Sequence, residues 1–158
     1  MKALVIYDSF FGNTEKIAQA IGQALGAQGE VEVRRVSEVK AEQLAGVDVL
    51  VVGSPTRAFR PSPAISSFLA GIPEGGLRGV KVAAFDTGIP AQDAPSILRF
   101  FIKLFGYAAK PIADKLTKKG GELAAPPEGF FVKGSQGPLQ EGELERAANW
   151  AKRILAAL

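Results

Sequence analysis

Ala3-Leu4-Val5-Ile6-Tyr7, running into Asp8-Ser9-Phe10-Phe11-Gly12-Asn13-Thr14, is the stretch that decides the fold. An unbroken apolar run reads as a strand covered on both faces. Such a strand, ending at a hydroxyl- and glycine-bearing turn that opens a helix, is how a parallel α/β sheet turns backbone N–H groups toward an anion. Three further segments read as strands: Val31 to Val36, Val47 to Val52 and Val80 to Phe85, with helical patterns between several of them. That alternation predicts an α/β fold, a single doubly wound parallel five-stranded sheet. The second segment, Val31-Glu32-Val33-Arg34-Arg35-Val36, mixes charge into its pattern and belongs at an edge. The strand order is then 2-1-3-4-5, with the ligand crevice above the carboxyl ends of strands one and three.

The helices follow from 3.6-residue spacing. From Asn13 to Gln28, the residues Ile17, Ile21, Ala24, Leu25 and Gln28 share one face. From Glu141 onward, Leu144, Ala147, Ala148, Ala151, Ile154, Leu155 and Leu158 do the same, and Glu141 and Glu143 suit a helix N-terminus. Ile97 to Phe105 is apolar nearly all round, which fits core packing or, alternatively, a homo-oligomer or partner surface. The fifth strand is expected to be split at an edge, because Pro126-Pro127 separates Glu122-Leu123-Ala124-Ala125 from Phe130-Phe131-Val132.

Composition narrows the chemistry. The 158 residues, 47% of them hydrophobic, are enough for one substantial core, and residues 1–158 are expected to form a single domain. Cysteine and histidine are both absent, which removes disulfides, thiolate nucleophiles, Ser-His-Asp triads and most zinc sites. The net charge of +3 is scattered, with small clusters at Arg34-Arg35 and at Lys115, Lys118 and Lys119, unlike the basic stripe that nucleic acid requires. After Met1-Lys2 only five apolar residues precede Asp8, too few for a signal-peptide core, and no later run is long enough for a bilayer. The expectation is a cytoplasmic protein with no nucleic-acid or membrane partner.

Three loops carry a resemblance. Ile6-Tyr7-Asp8-Ser9-Phe10-Phe11-Gly12-Asn13-Thr14, Gly53-Ser54-Pro55-Thr56 after strand three, and Asp86-Thr87-Gly88 after strand four resemble the FMN-binding loops of the flavodoxin family. The likeness spans essentially the whole chain, and hydroxyl-x-x-Gly-Asn-Thr at a strand-to-helix turn is its specific part. It implies FMN as cofactor, with the phosphate held by main-chain N–H groups from Phe10 to Thr14 and by the Ser9 and Thr14 hydroxyls. Gly12 permits close backbone approach. Phe11 stands where such loops often carry a third hydroxyl, a loss of about 1 kcal/mol. The second loop, Ser54 to Arg60, would lie along the flavin ring, bringing Ser54, Pro55, Thr56, Arg57, Ala58 and Phe59. Phe59 either stacks on the ring or anchors the loop. The third loop would supply Asp86, Thr87 and Gly88 to the ring edge, although it lacks the tyrosine familiar in the family. Asp86 either accepts from the flavin N3–H or caps a turn.

The departures bear on function. Flavodoxins commonly place a glycine in the second loop, where a flipped peptide accepts the N5–H of the one-electron-reduced flavin. Arg57-Ala58 replaces it here, and a flip to positive φ costs about 1 kcal/mol or more for a residue with a Cβ. A guanidinium at Arg57 near the ring would favour the fully reduced anion. The resemblance therefore implies an FMN-binding redox protein mediating electron transfer between partners. The alternatives are an FMN-dependent oxidoreductase passing electrons from NAD(P)H to a small-molecule acceptor such as a quinone, or a flavin-free interaction domain of the same fold. A phosphoacceptor receiver domain is disfavoured, since Asp8 stands alone after strand one and strand three ends in Gly53-Ser54. Gly129 to Leu139, which includes Gly134 to Leu139, is Gly- and Pro-rich and reads as a rigid connection into the last helix.

Overall fold

The computed structural model describes residues 1–56, 60–90, 95–97, 107–134 and 136–158. The strands are β1 (Lys2–Tyr7), β2 (Glu30–Arg35), β3 (Val49–Pro55), β4 (Lys81–Gly88), β5 (Glu122–Leu123) and β6 (Glu128–Phe131). All pair in parallel in the order β2-β1-β3-β4-β5, and β6 continues along the same side of β4. The expected fold and strand order are both present. The fifth strand is in two pieces: β5 pairs with Lys81 and Val82, and β6 pairs with Phe85 to Gly88. Pro126-Pro127 lies between them and cannot donate to a ladder. Trp150 Nε1–H instead takes the freed Pro126 carbonyl, at 3.2 Å.

Alternation along the strands explains their unbroken apolarity. Ala3, Val5, Tyr7, Val49, Val51, Ala83 and Phe85 face one core, with α1 (Asn13–Leu25) and the C-terminal helix α4 (Glu143–Ala156) over them. Leu4, Ile6, Leu50, Val52, Val82 and Ala84 face the other, covered by α2 (Pro63–Ala70) and α3 (Ala109–Lys118). Side chains two apart share a face, so a strand buried on both faces has no polar phase. β2 alternates exposed and half-buried residues, as its edge position requires.

The boundaries differ from the expected ones in one informative way. β3 and β4 were expected to stop at Val52 and Phe85, yet the ladder continues through Gly53↔Phe85, Ser54↔Asp86 and Pro55↔Thr87. Apolarity reports burial in the core, whereas the ladder follows backbone pairing, so polar residues prolong both strands into the ligand crevice. α1 ends at Leu25 and tightens into a 3-10 turn over Gly26–Gln28, which leaves Gln28 exposed rather than on the buried face.

The C-terminal helix also departs from its reading. Leu144 and Leu158 are 47% and 50% exposed, and Glu143 turns inward in place of Leu144. Two donors hold it there: the Phe131 N–H at 2.6 Å and the Arg146 guanidinium at 2.7 and 2.9 Å. Trp150 fills the core position below. It packs edge-to-face with Phe85 and Phe130 at centroid separations of 6.1 Å, and those two rings meet at 6.0 Å. Of the Ile97 to Phe105 segment, residues 98–105 lie outside the described residues, and Ile97 is 72% exposed. No helix among the described residues is long and apolar enough to cross a membrane.

Candidate functional site

The first, second and third loops leave the carboxyl ends of β1, β3 and β4, which are neighbours in the sheet. The first loop is shaped by its own side chains. The Asp8 carboxylate accepts from Ser9 N at 2.9 Å, and the Ser9 hydroxyl oxygen accepts from Gly12 N at 3.0 Å. Gly12 is the N-cap of α1 with φ +91°, the left-handed region where a Cβ is disfavoured, and no side chain caps the helix. The first-turn amides of Asn13, Thr14 and Glu15 have no intrahelical acceptor, because the ladder begins with Lys16 N donating to the Gly12 carbonyl at 3.1 Å. The turn is thus a preformed group of donors at the positive end of a 13-residue helix. Beside it Phe10 and Phe11 are 46% and 52% exposed.

Threonines tie the loops together. The Thr14 and Thr87 hydroxyls, both buried, lie 2.8 Å apart, and the Thr87 carbonyl accepts from Thr56 N at 2.9 Å. One chain of contacts therefore runs from the start of α1 through the third loop to the second. Thr56 Oγ1 then accepts from Ala108 N at 3.2 Å. The Ser54 hydroxyl is spent within its own loop, donating to the Pro55 carbonyl and accepting from Ser62 N, each at 2.9 Å. Its contribution to any ligand is the shape of that loop. Gly88 closes the third loop against Tyr107, whose hydroxyl donates to the Ile89 carbonyl at 2.9 Å. A tyrosine from a later segment thus stands beside the loop that carries none of its own. Arg57, Ala58 and Phe59 lie outside the described residues.

Asp86 is 1% exposed, and its carboxylate accepts from Ala109 N, the opening amide of α3, at 2.8 Å. This contact joins the end of β4 to the start of α3, 23 residues on in sequence. Burial, with a smaller push from Glu128, raises its pKa to about 7 against the opposing Ala109 hydrogen bond.

In the sequence Arg35 reads only as part of a small basic cluster, not as a site residue. From the end of β2 its guanidinium donates to the Ser9 carbonyl at 2.8 Å and lies 3.5 Å from Asp8 Oδ1 and 3.9 Å from Glu15 Oε1. It also sits over the Tyr7 ring, 5.3 Å from the centroid. Tyr7 donates to Glu15 at 3.0 Å; burial first, and then this bond, raises its phenol pKa. The available signal was register: β2 runs parallel beside β1, so its last charged residue reaches the end where the first loop begins.

The sequence profile of the Flavodoxin family matches residues 5–150. The chain belongs to the flavodoxin family. Flavodoxin 2 of Bacillus cereus, solved in its oxidised form, superposes with a TM-score of 0.80 over 100% of both chains at 26% identity. Flavodoxin 1 of Salmonella typhimurium is 24% identical over 172 residues, covering 98% of this chain and 93% of that one. The NAD(P)H dehydrogenase (quinone) of Cupriavidus metallidurans is 34% identical over 89 residues, 43% of this chain and 45% of that one. Several curated relatives are matched over less than half of their length. Members of the flavodoxin family bind a flavin.

Proposed function

We propose that residues 1–158 form one FMN-binding unit that mediates electron transfer between partners in the cytoplasm. The observation that supports it best is the 2.8 Å contact between Thr14 and Thr87, which joins the uncapped start of α1 to the third loop. A phosphate fits this donor set: the Asn13, Thr14 and Glu15 amides lack intrahelical partners, and the Thr14 hydroxyl lies among them. A Cβ built on Gly12 would meet nothing within 4 Å, so the protein leaves the approach to that backbone open. FMN, when bound, supplies the redox chemistry, and the chain supplies binding, orientation and field. Ser9, Phe10, Phe11, Gly12, Asn13 and Thr14 surround the phosphate in this reading. Ser54, Pro55, Thr56, Arg57, Ala58 and Phe59 line one side of the ring, and Asp86, Thr87 and Gly88 its edge.

A second reading rests on the likeness to quinone dehydrogenases and on Arg57-Ala58 in place of a second-loop glycine. Here the same site passes electrons from NAD(P)H to a quinone. Stepwise anaerobic reduction of the FMN-reconstituted protein tests both. A persistent blue spectrum marks a one-electron carrier. Direct bleaching, together with NAD(P)H oxidation that depends on added quinone, marks the reductase. A protein that stays colourless and takes up no FMN overturns both and leaves the flavin-free interaction domain.

A further inference from the structure

The Gly-rich stretch before α4 has no part in the site as described so far, yet it touches that site at two places. Val132 and Leu139 form an antiparallel bridge, and Lys133 N donates to the Pro138 carbonyl at 2.8 Å. The base of this hairpin is tied to the third loop, since Val132 N donates to the Gly88 carbonyl at 3.0 Å. Its tip reaches the first loop, 123 positions away in sequence, where the buried Asn13 carboxamide donates from Nδ2 to the Gln136 carbonyl at 3.2 Å. Gly137 lies flat against that carboxamide: a Cβ there would sit 2.6 Å from both Asn13 Nδ2 and Oδ1. Its φ of +99° is a second reason for glycine.

Asn13 is the first residue of α1, and its side chain does not cap the helix. We infer that the hairpin closed by the Val132–Leu139 bridge is a clamp on the first loop, acting through Asn13: Gln136 and Gly137 fix the first turn of α1, and with it the affinity of the site for a phosphate monoester. The inference rests on the FMN reading for its ligand. Gln136 and Gly137 are positioning residues that need no contact with the ligand. Hydrogen bonds to an anion weaken steeply when donors tilt or retreat, so a loosened first turn penalises the phosphate and spares the ring.

FMN and riboflavin, which share the ring and differ in the phosphate, are the two probes. In Gly137→Ala the FMN dissociation constant should rise about tenfold or more, while riboflavin affinity changes less than about twofold. In an Asn13→Ala background the same substitution should have little further effect on FMN, because the carboxamide it displaces is gone. Urea unfolding checks that each variant is folded. Equal losses for both ligands, no loss, or an undiminished effect in the Asn13→Ala background overturns the clamp. Amide hydrogen exchange reads it without flavin: Gly137→Ala should speed exchange at Gly12 and Lys16, whose N–H groups are bonded to the Ser9 hydroxyl and the Gly12 carbonyl, and leave the rest of α1 protected. Wild-type protein that binds no FMN would defeat the functional reading, whereas unchanged exchange at Gly12 and Lys16 would defeat the clamp.

Discussion

At the scale of single residues, Asp86 is the most exposed to test, since its carboxyl is sealed from water at the end of β4. Below pH 3.8 it is protonated in both folded and unfolded chains; between 3.8 and about 7 only the unfolded chain ionises. The folded state therefore holds the extra proton, and stability falls as pH rises through that window. Asp86→Asn keeps an oxygen for the Ala109 amide and removes the ionisable group. The variant should gain on wild type by roughly 1–3 kcal/mol between pH 5 and pH 8, measured by urea unfolding; parallel stability profiles would mean that Asp86 ionises freely in the fold. Gly12 gives a second residue-scale expectation. Gly12→Val puts a branched side chain at φ +91° and into the space left open for the ligand, so FMN uptake should be lost. Unchanged FMN affinity, measured by fluorescence quenching, would remove the phosphate from this turn. Gly12 and the three polar loop ends could be read from sequence because strand-turn-helix chemistry is local. Arg35 and Gly137 could not, because each acts across the sheet or across more than a hundred positions on a partner that spacing does not reveal.

At the scale of elements, β6 and α4 are held together by one acid. Glu143 takes the Phe131 amide and the Arg146 guanidinium, while Arg146 also reaches Glu128 at 2.9 Å and the Gly129 carbonyl. Arg146 further lies 4.7 Å from the Phe130 ring centroid. Burial works against the Glu143 carboxylate, but these partners outweigh it and hold its pKa below the ordinary 4.5. Its stabilisation is thus complete above pH 4.5 and is lost as pH falls below it. Glu143→Ala should cost about 2 kcal/mol near neutrality and flatten the acid limb of the unfolding profile; an unaltered limb would show that other carboxylates govern it. The helical period alone put Leu144 on the buried face. Glu143 displaced it because an orphaned strand amide needs an acceptor, a demand invisible until β6 is paired.

At the scale of the whole molecule, strand order was legible because the charge in Val31 to Val36 excludes that segment from the sheet interior, and the double proline announced the broken fifth strand. Binding should act on the whole fold by mass action. FMN at a hundredfold excess over its dissociation constant should add about 2.7 kcal/mol, raising Tm by roughly 5–10 °C in a thermal scan, and riboflavin should give less; equal shifts would place the phosphate outside the recognition site. The broken fifth strand has a colloidal consequence as well. A sheet edge is a row of unmet hydrogen-bonding groups that another chain can extend, and amyloid grows by that route. Here one edge ends in two short strands interrupted by Pro126-Pro127, and the other, Glu30-Val31-Glu32-Val33-Arg34-Arg35, points charges of both signs outward. Neither border offers a long, flat, neutral template on which a further strand could grow.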